Sequence, residues 1–160
     1  MAIYRLSTTL RIWIICWQFN LSKTFFMTST IKYLGNLRTA AIHLASKKNI
    51  LSDAPVDNQG KGEAFSPTDL VATALGSCLL TIMGIKARDM EVEIKGTTAL
   101  VSKVMGSTPR RISEISITVT MANSFDQKTQ KILEKAALSC PVANSLHPDL
   151  KQNIRFIWPS

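Results

Sequence analysis

Ser66-Pro67-Thr68-Asp69-Leu70-Val71-Ala72-Thr73-Ala74-Leu75-Gly76-Ser77-Cys78-Leu79-Leu80-Thr81-Ile82-Met83-Gly84-Ile85-Lys86 is the most decisive stretch of the chain. It opens with a serine of N-cap type, a proline at the first helical position and an acid at the third, close to a capping box. From there the segment is apolar nearly all round for five turns, through Leu70, Val71, Ala74, Leu75, Cys78, Leu79, Ile82 and Met83. A helix without a polar face reads as a central helix buried on most sides. Gly76-Ser77 leaves room for another backbone to come close just before Cys78.

Working outward, Thr30-Ile31-Lys32-Tyr33-Leu34 alternates and meets the turn signal Gly35-Asn36. Leu37 to Leu44 continues as a second strand and Asn49 to Ser52 as a short third one. Asp53 to Phe65 is rich in Pro, Asp, Asn and Gly, so it reads as a surface loop. Beyond the helix, Glu91-Val92-Glu93-Ile94-Lys95 alternates and predicts a strand running on through Gly96 to Val101. Arg111 to Met121 has the best period-two pattern, and the turn around Gly106 and Pro109 makes the two a hairpin. Asp126 caps a second helix through Ala137, Cys140-Pro141 starts a short one, and Asn153 to Trp158 closes as a strand. This order lacks regular βαβ alternation. It predicts an α+β fold, an antiparallel sheet packed on a long central helix that carries Cys78.

At 160 residues, with 46% hydrophobic and 19% charged side chains, the composition excludes a disordered chain and suits one domain. No run approaches 18 uninterrupted apolar residues, so no membrane association is expected. The net charge of +8 is scattered, apart from Lys47-Lys48 and Arg110-Arg111, whereas a nucleic-acid reader would show a basic stripe with aromatics. No nucleic-acid partner is expected. Residues 1–26 differ from the rest: they hold Arg5, Arg11 and Lys23 and no acid, together with Trp13, Cys16 and Trp17. The apolar run Ile12 to Trp17 is short and no small-residue cleavage site comes after it, which makes a poor secretory signal. The expectation is that 1–26 is an N-terminal extension, poorly ordered or peripheral, that the working protein begins at Met27, and that 27–160 is a single domain.

Three cysteines are not a disulfide framework. Cys78 lies three turns into its helix, beyond the reach of the helix dipole, and burial alone would leave it an inert core residue. Chemistry there needs a cation from elsewhere in the fold. Cys140 precedes Pro141 at a helix start, where free N–H groups favour thiolate, so taken alone it is the better candidate for an acidic thiol. There is no CxxC, and neither His43 nor His147 has a partner at metal-ligand spacing, so no metal is expected. A cysteine hydrolase would have to pair Cys78 or Cys140 with one of those histidines, and no oxyanion-hole motif supports it. Glycine-rich phosphate loops are absent, and no cofactor is expected.

The capping segment through Ala74-Leu75-Gly76-Ser77-Cys78, joined downstream by Cys140-Pro141-Val142-Ala143-Asn144, resembles the OsmC/Ohr family of osmotically inducible and organic-hydroperoxide-resistance proteins. The resemblance spans Met27 to Trp158. It implies an intertwined homodimer with two central helices, and a cytoplasmic, cofactor-free peroxidase acting on organic hydroperoxides with an external thiol as reductant. In that scheme Cys78 is the peroxidatic thiol, Cys140 resolves it, and both sulfurs face one cavity walled by Leu75, Leu79 and Ile82. Their Cα atoms would lie within about 7 Å or be able to reach that. Arg38 stands where the family's thiolate-holding arginine is expected, a role it would fill across the dimer. The hydroperoxidase branch commonly has an acid directly after the capping proline. Here Thr68 occupies that position, and the neighbouring Asp69 is the acid that would take over. The alternative is a redox-sensing or ligand-binding protein of the same fold with little turnover, which Thr68 favours. Plain structural roles also stand: Thr68 and Asp69 as cap residues, Arg38 as a solvated strand arginine, Arg110-Arg111 as a hairpin corner.

Overall fold

The computed structural model describes residues 27–160; the expectations for 1–26 lie outside them. Strand β1 (Ser29–Gly35) returns antiparallel as β2 (Arg38–His43) through Asn36 and Leu37, both in the left-handed region at φ 51° and 62°. Two such residues make the hairpin turn whose twist matches the strands. Leu37 is an unusual occupant of that region. Its N–H bonds the Tyr33 hydroxyl at 3.1 Å, and its carbonyl accepts the Ala54 N–H at 3.1 Å. Strand β3 (Asn49–Asp53) pairs antiparallel with β2, giving the order β1-β2-β3.

A 3-10 turn (Val56–Asn58) comes next. In the loop beyond it, a Cβ on Gly60 would sit 1.7 Å from the Ala54 carbonyl oxygen, so only glycine fits. Helix α1 (Pro67–Asp89) then opens on a complete capping box. Ser66 Oγ accepts the Asp69 N–H at 3.1 Å, and the Asp69 carboxylate accepts the Ser66 N–H at 2.8 Å. Ala72, Leu75, Leu79, Met83 and Ala87 form one buried stripe. The helix is therefore not buried on most faces. Val71, Ala74, Ser77, Thr81 and Ile85 are exposed on another face, and three of those five are apolar. By length and composition α1 is apolar enough to cross a membrane, and its buried stripe packs on a second helix and a second sheet. The close approach expected at Gly76 comes from a side chain: a Cβ there would meet Val101 Cγ2 at 2.9 Å.

The strand expected from Glu91 does not form. Glu91 takes φ 56°, its N–H bonds the Arg88 carbonyl, and the Val92 N–H bonds the Ala87 carbonyl, both at 3.0 Å. That is a helix-terminating double bond of the Schellman type, with glutamate where glycine is usual. Strand β4 begins only at Thr98 (Thr98–Ser107) and pairs antiparallel with β5 (Arg110–Thr120). Helix α2 (Gln127–Leu138), capped by Asp126, and helix α3 (Pro141–Ser145) lead to β6 (Lys151–Ile157). β6 pairs parallel to β5, correcting the all-antiparallel expectation: the β5-α2-α3-β6 connection is a crossover, long enough to reverse direction twice. The α+β class stands, with two sheets rather than one. Ile115, Ile117 and Val119 alternate along β5 and bury against Leu75, Leu79, Met83, Leu133 and Ala137.

The β1-β2-β3 sheet takes little part in that core. It makes no extensive packing with the helices or the other sheet, and Ile31 (68% exposed), Tyr33 (62%) and Ile50 (53%) face outward.

Candidate functional site

Two helix termini and one mid-helix position bring the site together. Cys140 is the N-cap of α3, and its sulfur accepts the Ala143 N–H at 3.3 Å. Pro141 at the first helical position enforces that entry. The start of α3 packs against α1, so the fully buried Cys140 lies next to Cys78 on the half-buried face of the long helix. Both are free thiols. Two cysteines far apart in sequence are thus neighbours in space.

The expectation that its cap position makes Cys140 an acidic thiol is not met. Burial pushes the Cys140 thiol up, and the adjacent Cys78 sulfur adds to that; the Ala143 N–H bond offsets only part of it. The cap donors that favour an exposed thiolate cannot make up for complete loss of water around this sulfur. The expected walls change too. Leu75 and Leu79 are 0% exposed in the core, and neither cysteine lines the open cavity of about 470 Å³ beside the start of α1. The surface beside Cys78 is the outward stripe of α1, Val71, Ala74 and Ile85 among it.

Asp69 does not meet Arg38. Its carboxylate is taken by the capping box and by Lys103 of β4, whose Nζ donates to Oδ1 at 2.5 Å. Burial pushes Asp69 up, but the Lys103 and Ser66 bonds outweigh it and hold the carboxyl below its usual range. The Asp69–Lys103 pair lines an open cavity of about 470 Å³ with Phe65, Ala72, Thr73 and Val101. Thr68 bonds Ser66 Oγ at 3.0 Å, in keeping with its cap role.

Arg38 opens β2, and its Nη2 donates to Asp53 Oδ2 at 2.9 Å and to Glu63 Oε2. Sequence reasoning missed both carboxylates. The hairpin arithmetic could have found Asp53: a turn between His43 and Lys48 makes Arg38 and Asp53 directly opposed partners. Arg38 lies at the N-terminal end of α1, since Asp53 bonds Phe65 through its N–H. From Ser66 to Cys78 the helix climbs about 18 Å at 1.5 Å per residue. Within one chain, Arg38 is not beside Cys78. The histidines are elsewhere, His43 with Ser46 and His147 with Asp149, and neither bonds a cysteine among the described residues. Arg110 and Arg111 form exposed ion pairs with Asp57 and Asp149, as a hairpin corner should. No metal-binding cluster occurs among the described residues.

A two-sheet α+β domain with a long capped helix presenting one cysteine to a second, buried one defines a class of paired-thiol proteins. The chain belongs to the OsmC family: the family model described as OsmC-like protein matches residues 60–155. A crystal structure from Psychrobacter arcticus 273-4, named for osmotic stress induction and detoxification response, is 61% identical, covers 82% of this chain and 96% of its own, and superposes with a TM-score of 0.80. Two more distant structures share the fold. The organic hydroperoxide resistance protein OsmC of Legionella pneumophila is 15% identical (TM-score 0.66, covering 82% and 97%). The organic hydroperoxide resistance protein of Elizabethkingia anophelis is 13% identical (TM-score 0.67, covering 86% and 100%). No curated protein sequence matches the chain.

Proposed function

We propose that this protein is a thiol-dependent peroxidase that reduces organic hydroperoxides through Cys78, with Cys140 as the resolving thiol. The observation that carries the reading is the asymmetry of the pair: Cys78 half-buried at a surface, and Cys140 fully buried beside it. The Cys78 thiolate attacks the distal oxygen of the hydroperoxide, the O–O bond breaks, the transferred oxygen keeps the hydroperoxide proton, and the departing alkoxide takes a proton from solvent to leave as alcohol. The sulfur is left as a sulfenic acid. Cys140 attacks that sulfur, its proton and the sulfenic hydroxyl leave as water, and a disulfide remains. An external dithiol reduces it by exchange. The apolar outward stripe of α1 suits an alkyl group better than water-like hydrogen peroxide.

The active form in this reading is a homodimer. Arg38 is far from Cys78 along its own helix, and the exposed apolar faces of α1 and of the β1-β2-β3 sheet invite a second copy. A second copy would bring its Arg38 to this Cys78, supplying the cation that the mid-helix thiol lacks. A cytoplasmic location, where thiol reductants are plentiful, fits the regeneration step. Neither nucleic acid nor membrane enters the scheme. The names of the distant fold relatives agree with it.

Cumene or tert-butyl hydroperoxide with a dithiol is expected to give turnover that Cys78→Ser abolishes; turnover surviving that change would refute the mechanism. Thr68, in place of an acid, favours the second reading, a redox sensor of the same fold. That protein would form the Cys78–Cys140 disulfide on peroxide exposure yet turn over negligibly.

A further inference from the structure

We propose that Asp53, assisted by Glu63, is the positioning group that fixes the Arg38 guanidinium for its task at Cys78; this rests on the peroxidase reading above. Three observations converge. Asp53 stands directly opposite Arg38 in the β2–β3 ladder, and its Oδ2 accepts both Arg38 Nη2 at 2.9 Å and the Glu63 N–H at 3.0 Å. The side chain is completely buried, and Oδ1 has no hydrogen-bond partner. A buried carboxylate with an orphaned oxygen is costly, and a neutral polar residue would close the same loop without that cost. The other carboxylate near this end of α1, Asp69, is committed to Ser66 and Lys103, and Thr68 has none to offer. The acid that this chain lacks after Pro67 is supplied instead from β3 and the adjoining loop.

The geometry also leaves the guanidinium usable. Both carboxylate bonds fall on Nη2, so Nε and Nη1 have no partner among the described residues, and the side chain is 30% exposed. A guanidinium clamped on one nitrogen presents its remaining donors in a fixed plane. The hairpin turn before it is locked at Leu37 by the Tyr33 hydroxyl and by Ala54, which restrains the backbone of the same residue pair. The charge on Asp53 is secure at neutral pH, because the Arg38 bond and then the Glu63 N–H hold its carboxyl below the usual range.

The test measures the pH profile of Cys78 alkylation, the rate of its oxidation by cumene hydroperoxide, and thermal melting. These are compared in wild type, Asp53→Asn, Glu63→Gln, Arg38→Gln and the Asp53→Asn/Arg38→Gln double variant. Asp53→Asn keeps the shape and an acceptor for the Glu63 N–H. It is expected to move the alkylation midpoint upward and slow oxidation about tenfold, the scale of one pK unit. Arg38→Gln should do the same, and Asp53→Asn should add nothing on top of it. Glu63→Gln, at an exposed residue, should shift both readouts in the same direction by less, and serves if Asp53→Asn fails to fold. A folded Asp53→Asn with the wild-type profile overturns the proposal. So does an additive effect in the double variant, or an unchanged profile in Glu63→Gln where Asp53→Asn does not fold. If wild type shows no turnover but these shifts appear, the peroxidase reading fails and the positioning role stands. If Arg38→Gln changes nothing, both roles fall.

Discussion

At the residue scale the two thiols are set apart by water. Cys140 has the better local chemistry for ionisation, a cap position before a proline, and does not profit from it because nothing of it is exposed. Iodoacetamide at neutral pH is therefore expected to label Cys78 well before Cys140, with peptide mass analysis reading the order; the reverse order would contradict the burial of Cys140. The same burial has a consequence for stability. A thiol whose folded pKa is raised stabilises the fold fully below the unfolded value of about 8.5. As pH climbs past that value the unfolded chain loses its proton first, and stability falls until the folded thiol ionises too. Urea unfolding between pH 7 and 10 should show that decline, with a shallower slope in Cys140→Ser. Arg38 and Asp69 were both legible as candidates, yet their partners were not. Side-chain pairing depends on strand register and loop path, and single residues in the sequence carry neither.

Element by element, capping chemistry was legible and direction was not. Ser66, Asp126 and Cys140 cap the three helices as their sequence contexts indicate, because a cap is satisfied within four residues. Ser66→Ala removes the acceptor for the Asp69 N–H and one partner of the Asp69 carboxylate. It should cost about 1–2 kcal/mol, seen as a lower urea midpoint at unchanged slope. A change within a few tenths of a kcal/mol would mean that Lys103 alone organises this end of α1. By contrast, Glu91 to Lys95 alternates like a strand and forms the exit turn of α1 instead. The helix termination there runs through backbone bonds to Ala87 and Arg88, which leave no mark in the hydrophobic pattern. The parallel pairing of β6 escaped for a related reason. Alternation shows that a segment is a half-buried strand and says nothing of which way it runs.

On the scale of the whole molecule, one chain looks incomplete. A three-stranded sheet with outward Ile31, Tyr33 and Ile50 gains little from its own chain, and its apolar residues are left in water. The exposed apolar part of α1 adds to the uncovered surface. Sedimentation equilibrium at micromolar concentration is expected to return twice the chain mass, and Val71→Glu with Ile85→Glu on the outward stripe should lower it toward one chain. A single-chain mass for wild type would remove the route by which Arg38 reaches a thiol. The fold class was readable from element order alone, whereas the expectation of a second copy was carried by the family resemblance. Burial of an apolar face is a property of the assembly.

The central claim is that Cys78 and Cys140 form one redox pair, and intact mass measured after one equivalent of cumene hydroperoxide, without reductant, tests it most directly. Wild type should lose two hydrogen atoms, with a linked Cys78–Cys140 peptide; Cys140→Ser should gain one oxygen on Cys78, and Cys78→Ser should remain unchanged. Wild type that gains oxygen without forming the linked peptide, or Cys78→Ser that oxidises as fast as wild type, would contradict the account.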